Sequence, residues 1–408
     1  MRDSQLNLLQ GSDEYFPALI DAIMHAKLEI RLETYIFDFN EGSLSVAQAL
    51  ENAAKKGVCV YVLVDGVGTP SIPLGWQIRW QSSGVKFKVF DPVGPGALWF
   101  PSRWRRLHRK LCVIDQVIGF CGGINILDDH YNPHTQSLMP ESRLDFAVQI
   151  IGYCVNDILK EMQRTWYRLD LVQELRQTGL VGTVKGMISK NDFVLNYQNV
   201  KHQLTKKRFK RRSLSRHCSL VLRDNVLHRN SIANAYIKAI DRSRVDICIA
   251  SAFFLPQDKM VDSLINAAKR GVSVTLLLQG HYEFVLPYRA ARQIYGKLLE
   301  AGVKIVEYQL TYLHAKVACV DNTWSTVGSS NLDPLSLLLA REANLVIKDV
   351  VFNRQLKDQL SKAISIGGVF VDKAKYCNRS VSDRFLDKLS FWLMKLAIFL
   401  SGKHYQIY

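Results

Sequence analysis

Two stretches of the 408-residue chain carry the same polar residues at the same spacing. "LHRKLCVIDQVIGFCGGIN" begins at Leu107 and "LHAKVACVDNTWSTVGSSN" at Leu313. Counted from the histidine, each places Lys at +2, Asp at +7, Gly at +14 and Asn at +17. The residues are His108, Lys110, Asp115, Gly122 and Asn125, then His314, Lys316, Asp321, Gly328 and Asn331. Five fixed positions recur by chance in a chain of ordinary composition roughly once in ten thousand. On a β-strand, residues two apart point the same way, so His and Lys can address one anion together while Arg109 or Ala315 turns away to pack. Imidazole can attack or shuttle a proton, ammonium neutralises charge, and a carboxamide donates to oxygen; two such sets at one place would surround a phosphodiester.

The glycines before Asn suit a tight turn where backbone approaches an anion. Ser329 adds a hydroxyl where the first copy has Gly123. Asp115 and Asp321 complete the motif with the catalytic set, but an acid that ends a strand more often holds a local hydrogen bond than reacts. A structural role is therefore favoured for both.

The elements that must position these residues also come twice. "ENAAKKGVCVYVLVDG" (51–66) matches "INAAKRGVSVTLLLQG" (265–280), and "SGVKFKVF" (83–90) resembles "AGVKIVEY" (301–308). "LEIRLETYIFDF" (28–39) parallels "VDICIASAFFL" (245–255). Each longer copy reads as a helix closed by a Lys/Arg-Gly stop, then a short apolar run rich in β-branched residues, which is a strand. Alternation of helix and strand predicts an α/β architecture built twice, each half a mixed sheet flanked by helices. The expected division is a half at 1–195, a basic linker at 196–216, a half at 217–370 and a terminal segment at 371–408. Duplicated units of this kind pack about a pseudo-twofold axis, which predicts the site at their seam.

Apolar residues make up 48% and charged residues 22%, a globular composition that excludes a disordered chain. The net charge of +16 favours polyanionic partners: nucleic acid, an anionic membrane surface or phosphate-bearing substrates. The eight cysteines sit singly, mostly in apolar runs, and read as reduced core residues. No apolar stretch of signal-peptide type opens the chain, so secretion by that route is not expected. No Walker or dinucleotide-binding glycine pattern and no metal-ligand spacing is present, which predicts neither cofactor nor metal.

The doubled motif resembles that of the phospholipase D superfamily, HxK(x)4D(x)6G(x)2N in two copies, and the likeness covers nearly the whole chain. "ETYIFDF", "HRK" followed by "GGIN", "RDNVLHRNSI" and "HAKVACVDNTWSTVGSSNLDPLSLLLAREANLVI" are similar to bacterial cardiolipin synthases, above all the shorter type B group. The resemblance implies a phospholipid transphosphatidylase. One histidine would take the phosphatidyl group of phosphatidylglycerol and release glycerol; a second lipid headgroup, phosphatidylglycerol or phosphatidylethanolamine, would accept it. It implies that Lys110, Lys316, Asn125, Asn331 and Ser329 hold phosphate, and that an acid after each motif orients imidazole; Asp145 in "RLDFAV" and Glu342 in "REANLV" fit. It also implies a peripheral protein of the bacterial inner membrane. A superfamily phosphodiesterase acting on nucleic acid is the alternative, as is a hydrolytic phospholipase D; the oligomeric state is left open.

Three segments bear on the partner. "RFLDKLSFWLMKLAIFLSGK" (384–403) reads either as an interfacial helix with Lys388 and Lys395 toward headgroups or as a terminal helix packed on the core. "GPGALWFPSRWRR" (94–106) reads as an aromatic and basic lip at the site, or as a loop that folds its rings inward. "KHQLTKKRFKRRSLSR" (201–216) suits anionic headgroups, nucleic acid or solvent alone.

Overall fold

The computed structural model describes residues 5–92, 106–132, 137–139, 141–189, 217–224, 228–281, 285–334, 336 and 339–400. Most of the 94–106 segment, all of 201–216 and residues 401–408 lie outside the described residues.

The first half comprises β1 (Gln5–Gln10), α1 (Gly11–Met24), β2 (Glu29–Thr34), α2 (Glu41–Lys55), β3 (Cys59–Asp65), α3 (Leu74–Ser83), β4 (Lys86–Phe90), β5 (Lys110–Ile114), β6 (Ile118–Gly122) and β7 (Phe146–Ile151), then the long α4 (Cys154–Ser189). The second comprises β8 (Cys218–Arg223), α5 (Ser231–Arg242), β9 (Asp246–Ser251), α6 (Asp258–Lys269), β10 (Ser273–Gln279), α7 (Val285–Glu300), β11 (Lys304–Tyr308), β12 (Lys316–Val320), β13 (Trp324–Gly328) and β14 (Glu342–Ile347). It is followed by α8 (Val350–Gly367), β15 (Gly368–Phe370), α9 (Lys373–Cys377) and α10 (Val381–Leu400).

The repeated sequences fall on equivalent elements. Helices α2 and α6 stop where Gly57 (φ 89°) and Gly271 (φ 88°) take the left-handed conformation. A Cβ would meet open space at both, so the conformation and not the room demands glycine. The first sheet runs β1-β7-β6-β5-β2-β3-β4 and the second β8-β14-β13-β12-β9-β10-β11, with β15 added at its edge. In each, two parallel pairs (β2 with β3 and β3 with β4; β9 with β10 and β10 with β11) adjoin an antiparallel remainder.

Strand alternation sets the layers. In β5, Cys112 and Ile114 face α1 to α3, while Leu111 and Val113 join Val317 and Cys319 of β12 in a core shared by both sheets. Phe146, Leu345, Phe352 and Leu356 lie in that shared core, and returning each to water would cost about 1.5–3 kcal/mol. A third core packs the other face of the second sheet against α5, α6 and α7. Helices thus flank each sheet on its outer face, and α4 and α8 pack into the core that the two sheets share, as the duplicated α/β reading expects.

Reciprocal backbone bonds close the seam. His108 N donates to Arg341 O (3.0 Å) and His314 N to Leu144 O (2.9 Å); in return Arg341 N donates to Arg106 O and Leu144 N to Tyr312 O. The exchange is the signature of a pseudo-twofold axis.

The terminal helix packs on the protein along one arc, as one of the two expectations has it, and leaves an apolar arc exposed. Asp387, Ser390, Phe391 and Met394 of α10 are buried, with Phe391 and Met394 against Ala290 of α7. The opposite arc exposes Phe385, Leu386, Leu389, Trp392, Leu393 and Leu396. Lys388 and Lys395 lie on the boundary between the arcs, and the Lys395 ammonium rests 5.4 Å from both the Phe391 and Trp392 rings. Among the described residues no helix is long and apolar enough to cross a membrane. All eight cysteines are free; Cys59 and Cys377 are exposed, so for these two the core reading is corrected: Cys59 faces outward at the first position of β3.

Candidate active site

Each histidine stands just before a central strand, and its lysine is that strand's first residue. Lys110 Nζ donates to His108 O at 2.8 Å, and Lys316 donates in the same way to His314 O. The intervening residues pack as expected. Ala315 is in the shared core, and Arg109 is buried in bonds to Glu33, Glu161 and Thr165.

The carboxylates cross the seam. His314 Nδ1 lies 2.6 Å from Asp145 Oδ2, and His108 Nδ1 lies 3.1 Å from Glu342 Oε2. Each half supplies the acid for the other half's imidazole. A carboxylate can only accept, so each Nδ1 carries the hydrogen and each Nε2 keeps a lone pair for chemistry.

Burial and neighbouring charge tune three bases and one carboxylate of the site. Burial, reinforced by Lys316 and Lys110 and opposed by Asp145, lowers His314 to about 3. Burial also lowers His108, against the pull of Glu342. Lys110 falls to about 7, first through burial and then through the Lys316 charge. Asp145 stays below its ordinary value because Lys316 and His314 outweigh its own burial. The site thus sets two imidazoles, both lowered by burial, against carboxylates from the opposite half and beside two buried lysines.

Other predicted residues take different parts. Asn125 Oδ1 accepts from Ile36 N (3.2 Å), which leaves its amide hydrogens for another acceptor. Asn331 is also buried, and its Oδ1 has no partner among the described residues. Ser329, expected to hold phosphate, is fully buried and its hydroxyl donates to Glu342 Oε2 at 2.5 Å. Gly123, at the same place in the first copy, leaves room for Asp145, whose carboxylate a Cβ would strike. A Cβ on Gly122 or Gly328 would sit 2.5 Å from the carbonyl oxygen of Phe146 or Ala343 on the adjoining strand, so close strand packing requires glycine at both.

Asp115 and Asp321 take backbone partners, in keeping with the structural role favoured for both. They lie at the far ends of β5 and β12, about 20 Å from the histidines. Asp115 accepts from the backbone N–H groups of Lys27, Leu28 and Glu29, and Asp321 from those of Arg244, Val245 and Asp246. Both adopt positive φ, 49° and 51°. They fasten the start of the neighbouring strand.

Sequence reasoning missed Tyr35, whose ring centre lies 4.9 Å from that of His108 and 5.4 Å from Lys110 Nζ. It also missed Asp65 and Gln279, which end the two repeat strands. Asp65 accepts from Leu107 N (2.7 Å) and Gln279 from Leu313 N (3.1 Å), the residues before each histidine. The signal was a polar residue before Gly in both copies. Of the aromatic and basic lip only Arg106 is described, and its guanidinium bonds Asp91 O at 3.2 Å.

Two sheets related by a pseudo-twofold axis, with paired His–Lys units and crossed carboxylates between them, define the phospholipase D type of enzyme. The chain belongs to the family described as "Cardiolipin synthase, PLD-like domain", whose profile matches residues 19–139 and 236–364. It is 34% identical over 400 residues to cardiolipin synthase B of Salmonella typhi, covering 95% of this chain and 85% of that one. It is 33% identical over 387 residues to cardiolipin synthase B of Escherichia coli K12, covering 92% and 84%. Among solved structures, the phosphatidylserine synthase of Haemophilus influenzae superposes with a TM-score of 0.63 at 14% identity, covering 98% of this chain and 94% of that one. At that identity the likeness speaks for the fold alone.

Proposed function

We propose that this enzyme is a cardiolipin synthase that works through a phosphohistidine. The observation that carries the reading is the convergence of two His–carboxylate pairs and two buried lysines on one place at the seam. One Nε2 attacks the phosphorus of phosphatidylglycerol; a P–N bond forms, the P–O bond to the headgroup glycerol breaks, and the other imidazole, protonated, gives its proton to the leaving alkoxide. That second imidazole, now neutral, takes the proton of an incoming lipid headgroup hydroxyl. The hydroxyl oxygen attacks phosphorus and the P–N bond breaks. One phosphodiester replaces another, so the exchange needs no energy source. Lys110, Lys316, Asn125 and Asn331 hold the phosphoryl oxygens as charge moves.

A phosphate anion in the site favours the charged forms of Lys110 and of the imidazole that serves as acid, opposing the burial that lowers both. The similarity to cardiolipin synthases makes phospholipid the substrate class. The apolar outer arc of α10, bordered by Lys388 and Lys395, suits a helix lying in the headgroup region of an anionic bilayer. The protein is accordingly read as a peripheral one at a bacterial membrane.

The test is incubation of purified protein with phosphatidylglycerol vesicles, following lipids and glycerol by mass spectrometry. Cardiolipin and glycerol should form with wild type and vanish with His108→Ala and with His314→Ala. Phosphatidic acid alone would make the enzyme a phospholipase. No lipid turnover by a folded protein would transfer the reading to a phosphodiesterase acting on nucleic acid.

A further inference from the structure

From the end of β3 into α3 runs "GVGTPSIPLGWQI" (66–78), thirteen residues without a charge in a chain of which 22% are charged. The stretch is not buried to match. Val67, Pro70 and Pro73 are exposed, and Leu74 and Ile78 are 71% and 56% exposed. Trp76 and Trp80 hold the other side of α3 against Phe37 and Phe39, so Leu74 and Ile78, one turn apart, face solvent together.

The stretch is braced on the residues around His108. Asp65 Oδ1 accepts from Val67 N (2.8 Å) and its Oδ2 from Leu107 N (2.7 Å). Thr69 Oγ1 donates to the carbonyl oxygen of Tyr35, whose ring packs on His108. The pseudo-twofold counterpart of α3 is α7, and it too begins beside a histidine: Gln279 accepts from Leu313 N, and α7 then opens on the exposed Val285 and Leu286. Helix α10 runs back along α7 toward that end. Tyr376, ahead of α10, donates to Arg292 O; Asp387 pairs with Arg289 at 3.2 Å; Phe391 and Met394 reach Ala290 and Leu255. Leu255 lies just past the end of β9, where Ala252 N donates to Ala315 O beside His314 (3.1 Å). Exposed apolar side chains therefore flank the two histidines from both halves. Single exposed apolar residues are ordinary, but an uncharged run beside a site, with a counterpart across it, marks an interaction surface.

We propose that residues 66–78 form a second membrane contact, across the site from α10, with Val67, Leu74 and Ile78 entering the boundary between headgroups and acyl chains. The protein then docks with its catalytic seam toward the bilayer. The inference rests on the phospholipid reading above: a donor and an acceptor that both reside in a bilayer must reach the histidines from its surface, and the net charge of +16 draws the protein to an anionic one. A helix on one side alone would let the seam tilt away from the surface, whereas contacts on both sides hold it there.

The experiment measures partition of the full chain onto phosphatidylglycerol vesicles by flotation, with Tm and the sedimentation of the lipid-free protein alongside. Leu74→Gln with Ile78→Gln removes apolar surface and leaves the charge as it is; Leu74→Phe with Ile78→Phe enlarges that surface. The glutamine pair should lower the partition coefficient about tenfold or more and the phenylalanine pair should raise it, with Tm and sedimentation unchanged. Adding Trp392→Glu and Leu396→Glu of α10 to the glutamine pair should lower it further than either pair alone. Partition unchanged by both pairs at positions 74 and 78 overturns the proposal. So does a glutamine pair that alters only the sedimentation, which would make the stretch an interface between copies of the chain. Flotation requires no turnover, so conversion of phosphatidylglycerol by wild type tests the parent reading separately.

Discussion

His314 Nδ1 is 2.6 Å from Asp145 Oδ2, a carboxylate that arrives from the other half of the chain, 169 residues away in sequence. The Asp145 carboxylate fixes which nitrogen of His314 bears the hydrogen and offsets the Lys316 charge 3.8 Å away. Asp145→Asn preserves the volume and removes both effects. It should lower kcat about 100-fold or more with little change in KM or Tm, measured by steady-state kinetics and calorimetry. Glu342→Gln should act in the same direction through His108.

Lys110 gives a pH signature of binding. Its ordinary value of 10.5 falls to about 7 through burial and the Lys316 charge, and a phosphate bound beside it should raise it again. At pH 6 the ammonium is already present; at pH 8 it must be taken up with the ligand. Binding of dihexanoyl-phosphatidylglycerol in buffers of different ionisation enthalpy should show more proton uptake at pH 8 for wild type than for Lys110→Arg, which stays charged throughout.

The same lysine costs stability. A group whose folded value is depressed contributes its full share of stability above the unfolded value and loses it as pH falls through the folded one. For Lys110 that window runs from about 10.5 down to about 7, so at neutral pH the buried ammonium is a burden. Lys110→Met should melt a few degrees higher at pH 7, the gain shrinking toward pH 10, and should make no cardiolipin. An unchanged or lower Tm at pH 7 would contradict this account.

Asp321 should separate stability from chemistry. Asp321→Ala strands the backbone donors of Arg244, Val245 and Asp246 and puts alanine at positive φ. About 2–4 kcal/mol of stability should be lost. The kcat of the molecules that remain folded should stay within about twofold, by active-site-normalised assay; a loss in the hundreds would return Asp321 to the reaction.

The outer arc of α10 is open to direct test. Trp392→Glu with Leu396→Glu changes two exposed side chains and none that packs on α7. Flotation with phosphatidylglycerol vesicles should fall at least tenfold with Tm unchanged, since burying each apolar chain is worth about 1.5–3 kcal/mol. Equal flotation would remove the helix from the membrane contact.

Much of this was legible in the sequence because it is local and doubled. Histidine and lysine two apart, a Gly stop after each helix and apolar runs of strand length repeat at matching positions, and the two sheets reproduce them strand for strand. What was not legible depends on the seam. Nothing in the spacing says that Glu342 serves His108 and Asp145 serves His314, because the pairing arises only when β14 meets the start of β5 and β7 meets the start of β12. Ser329 looked like a ligand because its hydroxyl is a donor in sequence; in space the donor is already committed to Glu342. Tyr35 lay unnoticed inside a strand-like run, since an aromatic there is ordinarily a core residue.

The exchanged carboxylates also constrain how such a chain could have arisen. A single copy has a histidine and an acid that cannot reach each other, so an ancestral chain of half the length could complete a pair only by associating with a second. Within one chain the two copies need not be identical, and Gly123 against Ser329, Tyr35 against Ala252 and Asp65 against Gln279 are places where they differ. The two sides of the seam are therefore chemically distinct.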